Sequence, residues 1–165
     1  FRSNVKKYTA KSSYDGVLAL TTRQDIKKSL AKDVASDLKK FWGDYKEIIK
    51  LNSFVGCRKD SIAHIGSDGK NLVPVALVGL GDLGRTDGEN LETLRRSVAT
   101  GLSLLKARSA KKIKLILPSA KLFNLSEKEL VEDITALIFM ANYKFTEFKK
   151  RNEKPKASKI GRAHV

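Results

Sequence analysis

Apolar residues along this chain fall into short unbroken runs that alternate with longer stretches spaced at helical steps. The first run, Val17-Leu18-Ala19-Leu20, follows the turn pair Asp15-Gly16 and predicts a buried strand. Thr22 then precedes Asp25 at capping-box spacing, and Ile26, Leu30, Val34, Leu38 and Phe41 follow at steps of four, four, four and three. One helix is predicted there, closed by Gly43. Residues 48–51 read as a second strand, Ile62-Ala63-His64-Ile65 as a third and Leu72-Val73-Pro74-Val75-Ala76-Leu77-Val78 as a fourth. Between the last two, Ser67-Asp68-Gly69-Lys70 carries the Asp-Gly pair of a tight antiparallel turn. Pro74 has no amide hydrogen for a ladder, so it is expected near the start of its strand.

A second helix follows residues 79–88, with Leu91, Leu94, Val98, Leu102 and Leu105 on one stripe. Residues 112–117 alternate and then run apolar into Pro118, a fifth strand. Ser126-Glu127-Lys128-Glu129 is a capping box, and Leu130, Ile134, Leu137, Ala141, Phe145 and Phe148 continue a third helix from it. Helices separated by strands, with one hairpin in the middle, predict an α/β fold: a mixed sheet of about five to six strands flanked by helices on both faces.

The chain has 165 residues, enough for one domain with a core of its own. Charge changes the picture, because 33 Lys and Arg face 18 Asp and Glu, a balance of +15 that favours polyanionic partners or self-repelling, solvated tails. The excess is uneven. Residues 1–11 hold four basic residues and no acid, and residues 144–162 hold eight basic and two acidic ones, so the body between them is only mildly basic. One cysteine, Cys57, cannot form an internal disulfide. No window holds the run of apolar residues that a membrane span needs, and residues 1–15 lack the apolar core of a secretory signal; a soluble, cytoplasmic chain is expected, with no membrane partner. The chain starts at Phe1 rather than Met, as a processed or excised chain would, and Gly161-Arg162-Ala163-His164-Val165 reads as vector-derived sequence.

Candidate chemistry is sparse. Gly79-Leu80-Gly81-Asp82-Leu83-Gly84 is a literal G-x-G-x-x-G after a strand. In a dinucleotide site the helix starts at once, so that its amides meet the pyrophosphate. Here Arg85, Thr86, Asp87 and Gly88 intervene, and the next strand ends in Pro118-Ser119 where a ribose-binding acid would be wanted, so a glycine-rich strand exit is expected instead. His64 lies in a strand pattern and His164 in the terminal five residues, so no two histidines have metal-ligand spacing. Cys57 adjoins Arg58 and Lys59, which favour a thiolate, but no positioned base accompanies it. Glu127, Glu129, Glu132 and Asp133 stand in the first turns of the third helix, where its positive end accounts for them. In Tyr143-Lys144-Phe145-Thr146-Glu147-Phe148-Lys149-Lys150-Arg151 aromatics and cations mix as in single-strand nucleic-acid binders, yet Phe145 and Phe148 continue the helical stripe. No catalytic, cofactor-binding or metal-binding residue is assigned.

Several strings in order resemble the N-terminal domain of the leucyl aminopeptidase family, the two-metal metallopeptidases. They are Val75-Ala76-Leu77-Val78-Gly79-Leu80-Gly81; Leu94-Arg95-Arg96 through Ala99-Thr100-Gly101 to Leu104-Leu105-Lys106; Lys112-Ile113-Lys114-Leu115-Ile116-Leu117-Pro118; and Tyr143-Lys144-Phe145-Thr146-Glu147-Phe148-Lys149. The last is similar to the family's Tyr-Arg-Phe-Asp-x-Tyr-Lys stretch, with Thr146 for Asp and Phe148 for Tyr. The resemblance runs from about Gly16 to Ile160. It implies a basic leader at residues 1–15, the family's N-terminal domain at 16–150, the start of an interdomain linker at 151–160 and the vector-derived end at 161–165.

The resemblance further implies a macro-domain-like fold, a catalytic domain in the same polypeptide, a homo-hexamer and peptide substrates of the parent. Zinc or manganese is implied for that catalytic domain and no cofactor for this chain, because the family's Asn-Thr-Asp-Ala-Glu-Gly-Arg-Leu motif does not occur here. Two other readings stand beside it: a macro-like module for ADP-ribose, on the glycine motif, and a DNA-binding domain using the basic tails.

Overall fold

A computed structural model describes residues 14–142. Four strands form its sheet among these residues: β1 (Gly16–Thr21), β2 (Ser61–Ser67), β3 (Leu72–Gly79) and β4 (Ile113–Ile116), in the order β2-β3-β1-β4. β1 runs parallel to both neighbours, with Thr21 beside Gly79 and Val17 beside Lys114. β2 and β3 form the expected antiparallel hairpin, closed by a four-residue loop in which the Asp68 carboxylate accepts the amides of Lys70 at 2.8 Å and Asn71 at 2.7 Å. Pro74 sits one residue before Val75, where β3 begins to pair with β1.

Alternation places the side chains on two faces. Leu18, Leu20, Ala76, Val78, Ile113 and Leu115 meet α4 (Asp87–Ala107) and α5 (Glu127–Asn142). Val17, Ala19, Ile62, Val75, Leu77 and Ile116 meet the other layer: α1 (Arg23–Lys27), α2 (Lys32–Trp42) and α3 (Tyr45–Leu51). Helices therefore cover both faces of a mixed sheet, as the pattern predicts. The approach of α4 is close: a Cβ on Gly101 would lie 2.2 Å from a methyl of Leu18.

Two expectations need correction. The sheet has four strands among the described residues, not five to six, because residues 48–51 belong to a helix. Gly43 ends α2 at φ +65, Asp44 accepts the amide of Glu47 at 3.3 Å, and Ile48 and Ile49 pack part-buried on the core from the helix this cap starts. The stretch from Thr22 to Phe41 is two helices rather than one, parted at residues 28–31. Each step of four turns an apolar position by about 40° around a helix axis, so a stripe of three such steps winds off the contact face. The break restores the aim: Val34, Leu38 and Phe41 meet the sheet, while Ile26 packs on Gly56. The third helix is described only to Asn142, so Phe145, Phe148 and the rest of the Tyr143 string lie outside the described residues, as do residues 1–13 and His164.

Both long helices open on capping boxes, of which the sequence reading expects the one at Ser126. Thr86 and Glu89 form a reciprocal capping box at the head of α4. Ser126 and Glu129 do the same for α5, with contacts of 2.8 and 3.2 Å. No helix among the described residues is long and apolar enough to cross a membrane.

Candidate functional site

The chain leaves β1 toward the α1–α3 layer and leaves the adjacent parallel strand β3 toward α4, on the opposite face. At such a switch point the two exits diverge and open a crevice at the carboxyl ends of the strands, where open α/β sheets place ligands. The glycine motif, residues 79–84, forms one wall of it.

The amides of its first three residues are already used. Gly79 N donates to Asp60 O, Leu80 N to Thr21 O and Gly81 N to Gly56 O, each at 2.8 Å, and Gly81 O accepts from Arg23 N at 3.1 Å. The glycines admit another segment of the chain rather than a pyrophosphate. A Cβ on Gly79 would lie 2.2 Å from Cys57 O, and one on Gly81, at φ +71, would lie 2.9 Å from Arg58 Cγ. The loop between α3 and β2 thus crosses the strand exit and brings Arg58 with it. α4 begins at Asp87, two residues earlier than the expected Glu89 but still not directly after the glycine motif, and its first turn carries Asp87 and Glu89. Glu89 is held below its ordinary value of 4.5, first by the Thr86 hydroxyl and then by the Thr86 amide, with Arg85 and Arg58 adding to the effect.

What remains open is a crevice of about 440 Å³ lined by Arg23, Cys57, Arg58, Gly81, Asp82 and Arg85 among others. Sequence reasoning singled out Cys57 and the glycines but not the three arginines, which lie at the head of α1 and on two separate loops with no common motif. Cys57 is part-buried, and its amide donates to the Asp60 carboxylate at 3.1 Å. His64, the other sequence candidate, is an exposed residue of the edge strand β2, with its Nε2 3.2 Å from Asn52 Nδ2 and its ring edge-on to Trp42. Of the acidic group, Glu129 caps α5 with its carboxyl held below 4.5 chiefly by the Ser126 amide. Asp133 makes a bidentate pair with Arg95 of α4, which raises the guanidinium's pKa and clips the two helices together. Among the described residues no three His, Cys, Asp or Glu side chains gather as a metal ion would require, so they do not fit the zinc or manganese that the resemblance implies.

Comparison with known proteins agrees with this architecture. Residues 17–152 match the family model described as the cytosol aminopeptidase family, N-terminal domain. No curated protein sequence matches. Among solved structures the chain is similar to a tomato leucine aminopeptidase mutant, with a TM-score of 0.64 at 18% identity, covering 96% of this chain. It is also similar to the bottromycin maturation enzyme BotP (TM-score 0.56, 16% identity, 92% of this chain) and to BotP in complex with Mn (0.53, 16%, 83%). The chain spans only 31% of the tomato enzyme and 27% and 25% of the two BotP chains. A match over residues 17–152, on a fold with the same arrangement, leads to one conclusion: this chain belongs to the cytosol aminopeptidase family, as its N-terminal domain.

Proposed function

We propose that this chain is the non-catalytic N-terminal domain of a leucyl-type metalloaminopeptidase, a hydrolase that removes N-terminal residues from peptides. The observation that carries the reading is the family match over residues 17–152 on a chain that spans 31% of the tomato enzyme. The remaining length belongs to a catalytic domain of the same polypeptide. That domain holds the zinc or manganese; the residues described here are unsuited to it.

Within the parent, this domain supports assembly of a cytoplasmic hexamer and shapes access to the catalytic chamber. Its sheet, helix-covered on both faces, supports a macro-like fold. The basic residues 1–15 act as a leader and residues 151–160 open the interdomain linker. The test is direct. Purified alone and supplied with zinc or manganese, the chain should leave a leucyl p-nitroanilide intact, while the same chain continuous with its catalytic domain should cleave it and migrate as a hexamer. Hydrolysis by the chain alone would overturn the reading.

A further inference from the structure

We propose that the crevice at the carboxyl ends of β1 and β3 binds a phosphate-rich anion without an aromatic part, such as a short polyphosphate, through Arg23, Arg58 and Arg85. Position is the first argument, because diverging strand exits make this the place where the fold leaves room for a ligand. Charge is the second. Three arginines line it against one carboxylate, Asp82, which lies 3.6 Å from Arg23 Nη1. Both members of that pair are well exposed, so an incoming anion displaces a weak contact. Arg58 and Arg85 have no carboxylate partner among the described residues.

The third argument is that Arg58 is positioned rather than loose. Its stem and its backbone nitrogen lie over Gly81, within 2.9 and 3.2 Å of where a Cβ would be, and that backbone is tied by the Gly81 N to Gly56 O bond. The guanidinium carried on this stem offers a fork that matches phosphate oxygens, which a lysine does not. Size points to more than one phosphate. The crevice adjoins a groove of about 390 Å³ along α4 that shares Arg58 and Arg85 and adds Lys59 and Arg96. Its two carboxylates are engaged, Glu89 by Thr86 and Glu92 by Arg96. No aromatic side chain is among the described lining residues, so nothing there would stack on a base.

The experiment titrates the chain with inorganic tripolyphosphate by calorimetry and follows backbone amide shifts. The amides of Arg23, Arg58, Gly81 and Arg85 should move first. Arg58→Ala and Arg85→Ala should each weaken binding by about tenfold, as loss of one charge-assisted contact does. Arg58→Lys, which keeps the charge but loses the fork, should lose most of that. Lys106→Ala, at the far end of α4, should change the affinity less than about twofold, because only screened long-range charge is removed. Equal losses at Lys106 and Arg58, or no heat at millimolar tripolyphosphate, would overturn the proposal. So would ADP-ribose binding more than about tenfold tighter than pyrophosphate, since the nucleoside would then carry the recognition.

Discussion

The two faces of the sheet are built by different means. One face is covered by two long helices, α4 of 21 residues and α5 of 16, each opened by a reciprocal capping box. The other is covered by three shorter helices of 5, 11 and 7 residues joined by brief breaks. Local sequence dictates the first face, because several helical turns on one apolar stripe outweigh any competing arrangement. The second depends on the sheet beneath it. Helices of five and seven residues have no stability of their own in water, so packing decides where they start and stop.

Paired truncations probe this comparison with the largest expected effects. Leu94→Ala on α4 and Leu38→Ala on α2 each remove a side chain with no exposed surface and should cost about 2–5 kcal/mol in urea unfolding. If the comparison is right, amide exchange in the L38A variant rises through all of α1–α3, whereas in L94A it rises near the contact while the rest of α4 stays protected. Uniform loss of protection in both would break the distinction.

The glycine exit sharpens it next. Gly79→Ala would place a Cβ against the Cys57 carbonyl, a backbone atom that cannot swing aside, and overpacking of that kind costs about 1–3 kcal/mol. The loss should show as exchange confined to the loop between α3 and β2 and to α1, with α5 unaffected. Each layer also carries an ion pair. Lys114 Nζ of β4 lies 2.7 Å from Asp37 of α2, whose side chain is 11% exposed, while Asp133 in the α4–α5 clip is 22% exposed. Asp37→Ala should therefore cost about 1–3 kcal/mol and Asp133→Ala less than about 1 kcal/mol, read from denaturation midpoints at low and high salt.

Smaller effects come from the caps. Ser126→Ala should lower stability by about 1 kcal/mol and fray only the head of α5. Acid should do the same more gently. Glu89 and Glu129 are more acidic in the fold than their ordinary 4.5, so their support is complete above that value and fades as pH falls through the lowered folded values. A helical signal that weakened between pH 8 and 6 instead would contradict the assignment of these carboxylates.

Legibility followed the same division. The strands around residues 17–20, 62–65, 72–78 and 112–117, the apolar stripe of α4 and the head of α5 were readable from apolar runs, periodicity and capping spacing. Residues 48–51 were not, because Ile48-Ile49-Lys50-Leu51 suits a strand or a buried helical turn equally. The Asp44-x-x-Glu47 spacing was the available signal for the helix. Of the candidate site, the sequence showed that the glycine motif lacks an immediate helix. That Gly79 and Gly81 instead make room for Gly56, Cys57 and Arg58 is a contact between distant segments, and no local pattern encodes it.

By itself, then, the sequence determined the alternation of strands and long helices, the hairpin, the caps and the family strings, because each depends on neighbours within a few residues or on periodicity along one element. Tertiary structure decided the rest: where the short helices break, which segment fills the switch point, and that Arg23, Arg58 and Arg85 face one crevice. The physical reason is the range of the forces involved. Capping and periodicity act within a turn or two of chain, whereas close packing and the convergence of charges exist only after distant segments have been folded onto the same sheet.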